Sequence, residues 1–292
     1  MTSTTLASKT VLQEATFQAV RRKVLYPVFM HGLMILGVLI VVFPLVYAVI
    51  LSTQSSSEYY QIGNLTPGTA MWENYRTAWQ RADLWRLILN TLIVALIVGF
   101  GKIFLSITGA FALVYFKVWA SGLLLGLIML THLLPLPVRI VPTYQLLTDL
   151  GWIDTYQGLT VPFLASATGV LLFQQFYRTV PRDLADAARV DGAGPMRFLF
   201  SILIPVSRTN IGALFLIEFI YMWNQYLWPI LVANSPETRQ VQIGIKLLIA
   251  TDSVIPWGVL MAGTVTAIIP PLVVLLVLQR SLMAGLSAAD ES

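Results

Sequence analysis

The chain has 292 residues, 57% of them hydrophobic and 11% charged, and its mean hydropathy of +0.77 excludes an ordinary soluble domain. It contains no cysteine, which excludes disulfides, thiolate metal sites and cysteine nucleophiles. A net charge of +4 and an isoelectric point near 9.4 read as loop bias in a membrane protein, not as a nucleic-acid footprint.

Residues 1–23 predict a cytoplasmic N-terminal segment, Ser/Thr-rich at first, with a short surface helix over 11–23 ending in Arg21-Arg22-Lys23. A basic cluster before an apolar run also opens a signal peptide. Here the run is long, and "FPLVYAVILSTQSS" lacks a small-x-small cleavage site, so an uncleaved anchor is expected. A bilayer core needs about 20 apolar residues per helix. Six such spans are predicted within a domain over 24–286, at 31–51, 87–115, 123–146, 159–177, 211–233 and 257–278, with a tail at 287–292. The second is interrupted by Lys102. The third is broken by Pro135, Pro137 and Pro142 and carries Arg139. Residues 52–85, with Gly63, Pro67 and Gly68, predict an outer loop with short helices.

The fold class expected is thus an all-α membrane protein. Lys9, Arg21, Arg22, Lys23, Lys117, Arg178, Arg182, Arg189, Arg197, Arg208 and Arg280 fall on one side. Only Arg76, Arg81, Arg86, Arg239 and Lys246 fall on the other. Basic loops stay inside, so both termini are expected in the cytoplasm.

The loop at 178–206 then faces the cell interior. Its core, "DLADAARVDGAGPMRFLFSILIP", spans 183–205 and predicts a helix-turn-helix. Asp183 suits the first turn of a helix, and Leu184, Ala187 and Ala188 are expected to share a face. Gly192 reads as a left-handed terminator and Pro195 as the first turn of a second helix, whose apolar side is Phe198, Ile202 and Leu203. An elbow tipped with alanine suits a groove in another protein. The competing reading is that any long loop between spans folds into some amphipathic helix.

The segment resembles the EAA loop of permease subunits of ATP-binding-cassette importers, a pattern of Glu-Ala-Ala, a Gly four residues later, then Ile-x-Leu-Pro. Those places hold Asp186, Ala187, Ala188, Gly192, Ile202, Ile204 and Pro205, with Asp191 before the Gly. Asp186 departs from Glu and Ile204 from Leu, which puts in doubt only the polar contact of the first position. The resemblance implies that Asp186, Ala187, Ala188, Asp191, Gly192, Ala193, Pro195, Phe198 and Pro205 couple to a separate ATPase, which holds the ATP and Mg2+. No cofactor, metal site or catalytic residue is expected on this chain. "GFGKI" at 99–103 lacks the upstream Gly and the Ser/Thr of a phosphate loop.

"LPLPVRIVPTYQLL", "GLTVPFLASATGVLLFQQF", "GAGPMRF" and "FIYMWNQYLWPI" are further similar to the glycerol-3-phosphate branch of the maltose-type carbohydrate family, over about 31–286. That implies a bacterial inner-membrane location and sn-glycerol 3-phosphate, with glycerophosphodiesters, as cargo. It implies as partners a second homologous permease, an ATPase dimer, a solute-binding protein and membrane lipid. A permease for neutral sugars or polyols is the alternative. An ion-coupled secondary transporter using Lys102, Arg139 and Glu218 is a rival needing no ATPase.

Ionisable groups inside spans are functional candidates. Lys102 and Arg139 suit an anionic cargo; the competing reading, which the habit of buried charges to pair favours, is that they pair with a carboxylate such as Glu218 or reach to an interface. Asn224 and Gln225, in "YMWNQYLWP", are candidates for hydrogen-bonding a polyol in the pathway, while Trp228 reads as an interfacial anchor.

Overall fold

The computed structural model describes residues 26–59, 65–116, 118–250 and 256–290, so the expected 11–23 helix, the Arg21-Arg22-Lys23 cluster and the last two residues lie outside the described residues. The described residues are helical and without strands. The helices used below are α1 Tyr26–Thr53, α2 Met71–Ala82, α3 Leu84–Tyr115, α4 Ser121–Leu133, α5 Leu136–Asp149, α6 Tyr156–Thr160, α7 Ala167–Thr179, α8 Arg182–Val190, α9 Pro195–Phe198, α10 Arg208–Trp223, α11 Pro229–Val232, α12 Val241–Ala250 and α13 Trp257–Asp290.

Three helices are long and apolar enough to cross a membrane (α1, α3 and the 257–281 part of α13), or five if each of two bent pairs is one span. α1 is apolar all round and exposed along most of its length, as a lipid-facing span requires. Its C-terminal carbonyls would be orphaned where the end is buried. Asn74 resolves this by donating to the carbonyls of Ser52 and Gln54 at 3.0 and 2.8 Å.

The sequence-based spans three to five differ from the structure, each for a local reason. The third is two helices, because Pro135 restricts Leu134 to extended backbone (ψ 117°) and itself sits at ψ 146°. The fourth is Tyr156–Phe163 followed by α7, bent by 44° where Ser166 starts a fresh helix by accepting the Gly169 N–H at 3.1 Å. The fifth ends at Trp223, ten residues before the expected boundary. Asn224 closes it, and only the single turn of α11 follows.

α3 is the central post, packed chiefly on α7 and α10, while α10 also packs on α13. The α3–α7 approach is close enough that a Cβ at Gly169 would strike the Ser106 hydroxyl. Two apolar clusters stack along this post. One surrounds Trp223, Trp228, Phe219 and Val94. The other, beneath α8 and α9, holds Phe173, Tyr177, Leu199 and Leu203. Trp228 is therefore not an interfacial anchor: it is 1% exposed, and its indole donates to the Gly158 carbonyl at 3.1 Å.

Candidate functional site: an elbow and a buried ion pair

The elbow begins at α8, with Asp183 in its first turn and Arg189 in its last, both matched to the helix dipole. The helix closes on Asp191. Gly192 follows at φ +73°, donating to the Arg189 carbonyl at 3.0 Å, and Ala193 reaches back to the Ala188 carbonyl at 2.8 Å. This left-handed stop requires no side chain, and Gly meets it without strain. Pro195 then opens α9 as expected. From there the chain stays helical through a wider π turn at Leu199–Leu203 and the turn Ile204–Val206, then bends 75° into α10. Ser207, at the bend, is wholly buried and donates to the Leu203 carbonyl at 2.5 Å. Elbow and span are thus joined through a single buried turn residue, Ser207.

The face prediction needs correction. Ala188 does not share its surroundings with Leu184 and Ala187: Ala185 and Ala188, three residues apart, turn inward and are 8% and 5% exposed. Phe198 is buried beside them, its ring 5.3 Å from that of Tyr115, which in turn lies 6.2 Å from Tyr177. The outer face carries Leu184, Ala187, Val190 (88% exposed) and Met196. Asp186 pairs with Arg189 at 2.8 Å, and both are exposed. Asp191, Gly192, Pro195 and Pro205 are exposed as well, and Ala193 is half-buried. Helical spacing alone names two stripes; only the packing says which one meets the chain's own core.

Farther into the bundle, Lys102 on α3 meets Glu218 on α10 at 2.5 Å, each residue 7% exposed. The Ser166 hydroxyl donates to the other Glu218 oxygen at 3.1 Å, and the Lys102 ammonium lies 5.3 Å from the Tyr221 ring centroid. The pair ties α3, α10 and the start of α7 together. Of the two readings open for Lys102, the structure shows the pairing. It does not bring the other candidates to this point. Arg139 lies exposed on α5 and makes no ion pair among the described residues. Asn224 is exposed and donates back to the Ile220 carbonyl at 2.9 Å, and Gln225 is half-buried beside it.

A third polar cluster was not anticipated from sequence. Asp154, at φ 60°, accepts the N–H groups of Asn234 and Ser235 at 2.9 and 3.0 Å and the hydroxyl of Thr238. Burial raises its pKa, but the hydrogen bonds from Thr238, Ser235 and Asn234 outweigh that and hold it down to about 2. The stabilisation is therefore full above the ordinary value of 3.8 and is lost as the pH falls through about 2. Asp154→Asn is expected to cost about 1–3 kcal/mol. In thermal unfolding across pH 2–8, its deficit against the parent should be constant above about pH 4 and shrink below it.

Over residues 102–287 the chain matches the model of the family described as "Binding-protein-dependent transport system inner membrane component". It is 44% identical to the sn-glycerol-3-phosphate transport system permease protein UgpE of Rhizobium meliloti, over 89% of this chain and 96% of that one. Against the protein of the same name from Brucella melitensis the identity is 43%, with 89% and 96% covered. Among solved structures it superposes on a chain of a bacterial ABC transporter that imports the acidic polysaccharide alginate, with TM-score 0.80, 21% identity and coverage of 89% and 97%. A second alginate transporter structure, with a pentasaccharide-bound periplasmic protein, gives TM-score 0.64 at 14% identity, covering 90% and 96%. With its helices long enough to span a bilayer and a match across more than half its length, the chain belongs to the binding-protein-dependent transport system inner membrane components, as a multi-pass permease subunit and not an enzyme.

Proposed function

We propose that the chain is one of two homologous permeases forming a pathway for sn-glycerol 3-phosphate and glycerophosphodiesters. An external solute-binding protein feeds the pathway. A separate ATPase pair holding ATP and Mg2+ drives it. The cargo reading is supported by the relatives' named substrate at more than two-fifths identity over nine-tenths of the chain. The coupling reading is carried by one observation: Leu184, Ala187, Val190 and Met196 stand exposed among charged neighbours, unused by the chain's own core, on an elbow joined to α10 through the single bend at Ser207.

In this reading the six spans are α1, α3, the α4–α5 pair, the Tyr156–Thr179 bent pair, α10 with its lead-in, and α13, over a domain at 24–286. Both termini and the elbow lie in the cytoplasm. ATPase closure pushes the elbow, which swings α10 against α3 about the Lys102–Glu218 brace, giving alternating access. Arg139, a cation exposed on a span helix, is too costly to face lipid and faces the pathway, as do Asn224 and Gln225.

Uptake by the reconstituted assembly tests both parts. Glycerol 3-phosphate should accumulate with ATP, and Arg139→Met should cut that uptake by about 10-fold or more, as loss of a charge-assisted contact does. Uptake of a neutral polyol, where measurable, should fall much less. Equal losses would make Arg139 structural, and preference for a neutral sugar would overturn the cargo.

A further inference from the structure

Two apolar hollows of about 380 and 370 Å3 adjoin on the outside of the bundle and share Phe100, Ile103 and Ile211. The first is walled by Phe215 of α10 and by Val273 and Val277 of α13. The second follows α3 past Phe104 and Thr108 to Phe200 and Ile204, on the helical turns that lead out of the elbow. Together they form one groove. We propose that this groove, closed at its elbow end by Arg208 and Arg280, holds an anionic phospholipid.

Helical spacing brings both guanidiniums to that end. Arg208 precedes Ile211 and Phe215 by three and seven residues on α10, and Arg280 follows Val277 and Val273 by three and seven on α13. Each therefore continues a stripe that walls the groove. The two helices touch at Gly212, where an added Cβ would lie 2.7 Å from the Ser281 hydroxyl. That contact is one turn from Arg208 and one residue from Arg280. Both arginines are exposed, and neither makes an ion pair or hydrogen bond among the described residues. Arg208 also opposes its own helix: it stands in the first turn of α10, where the dipole disfavours a cation and no acid offsets it.

Basic residues near helix ends are ordinary in membrane proteins. What marks these two is that they terminate opposite walls of one apolar groove. An occupant must then carry negative charge at one end and be apolar along the rest, which describes an anionic phospholipid. Basic pockets between spans hold such headgroups, and guanidinium forks match phosphate oxygens. The length agrees as well. From Phe100 to Thr108 α3 rises about 12 Å, close to one leaflet of a hydrocarbon core about 30 Å thick. A helix of a second permease would fill the hollow yet leave both arginines unpaired, unless it brought carboxylates to the same depth. Phosphatidylcholine offers a phosphate too, but its own ammonium cancels the charge. The orientation proposed above makes this the cytoplasmic leaflet; the site itself does not rest on that orientation.

The test uses the full assembly in nanodiscs of phosphatidylcholine, with or without added phosphatidylglycerol, and counts retained lipid by native mass spectrometry. Phosphatidylglycerol should be retained in preference to phosphatidylcholine. Arg208→Gln and Arg280→Gln should each cut that preference about 5-fold, as loss of one cation at a membrane surface does. Arg208→Lys and Arg280→Lys, which keep the charge, should lose less. Val277→Trp fills the groove and leaves both charges, and it should reduce phosphatidylglycerol retention as well. Thermal unfolding separates binding from misfolding. Added phosphatidylglycerol should raise the parent's unfolding temperature and leave that of the double Gln variant unmoved. No preference in the parent, parental retention or an equal thermal rise in the double Gln variant, or no effect of Val277→Trp would each overturn the proposal. So would a photo-reactive residue at position 277 that cross-links to the second permease instead of to lipid.

Discussion

Gly192→Pro is expected to abolish ATP-driven uptake while the chain still inserts and folds in the membrane. Gly192 sits at φ +73°, and a Cβ placed there meets nothing within 4 Å. Substitutions at this position therefore act through backbone conformation alone. Proline locks φ near −65° and cannot occupy the turn, so the angle between α8 and α9 is lost along with the bonds from Gly192 and Ala193 to the end of α8. Alanine keeps those bonds at roughly 1–2 kcal/mol of strain, and asparagine, which tolerates left-handed backbone, pays less. Uptake should thus fall in the order Gly, Asn, Ala, Pro. Basal ATPase of the assembly should persist in all four or rise where docking loosens. Uptake in Gly192→Pro equal to the parent would mean that the elbow transmits nothing. Bulky changes at Ala188 are a poor probe of docking, because that residue packs against the chain itself. Ala187→Trp, on the outer face, is the matched substitution.

The second large effect concerns Lys102 and Glu218. Removing one partner leaves the other as an uncompensated buried charge, a loss of about 3–5 kcal/mol, whereas removing both is often close to neutral. Lys102→Met and Glu218→Gln are each expected to lower the unfolding temperature sharply and to cut the yield of folded protein. The double variant should recover most of the loss, because the glutamine still accepts from Ser166. A strongly favourable coupling in this cycle identifies a brace between α3 and α10. If Lys102 instead served cargo, the single Lys102→Met variant would fold normally and fail only in ester uptake.

These two sites differ in how far the amino-acid order reveals them. α1, α3 and α13 were legible because each is an unbroken apolar run longer than a bilayer requires. The elbow was legible because its stops are local: Gly192 and Pro195 act through their own backbone preferences. Which alanine faces inward was not, since that depends on Tyr115 and Tyr177 arriving from distant helices. The third, fourth and fifth spans were drawn too straight. Hydropathy averages over the break at Pro135, the restart at Ser166 and the early stop at Asn224, each of which costs the run only a residue or two. The pairing of Lys102 with Glu218 was open from sequence, because charge in a span demands a partner without naming it. The Asp154 clasp was missed altogether, as was the tether by which buried Asn90 of α3 donates to the Arg239 carbonyl at 3.0 Å. Their contacts join residues 80 and 149 positions apart, and the one hint was Asn90 itself, a polar side chain in an apolar run.

Transmission of force from a separate motor through the elbow is tested most directly in proteoliposomes. Solute accumulation against a gradient is measured for this chain alone, for the assembly with its ATPase and binding protein, and for that assembly carrying Gly192→Pro. Accumulation is expected only in the unaltered assembly, and only with ATP. Uphill transport by the isolated chain, or by the Gly192→Pro assembly at the parental rate, would contradict it.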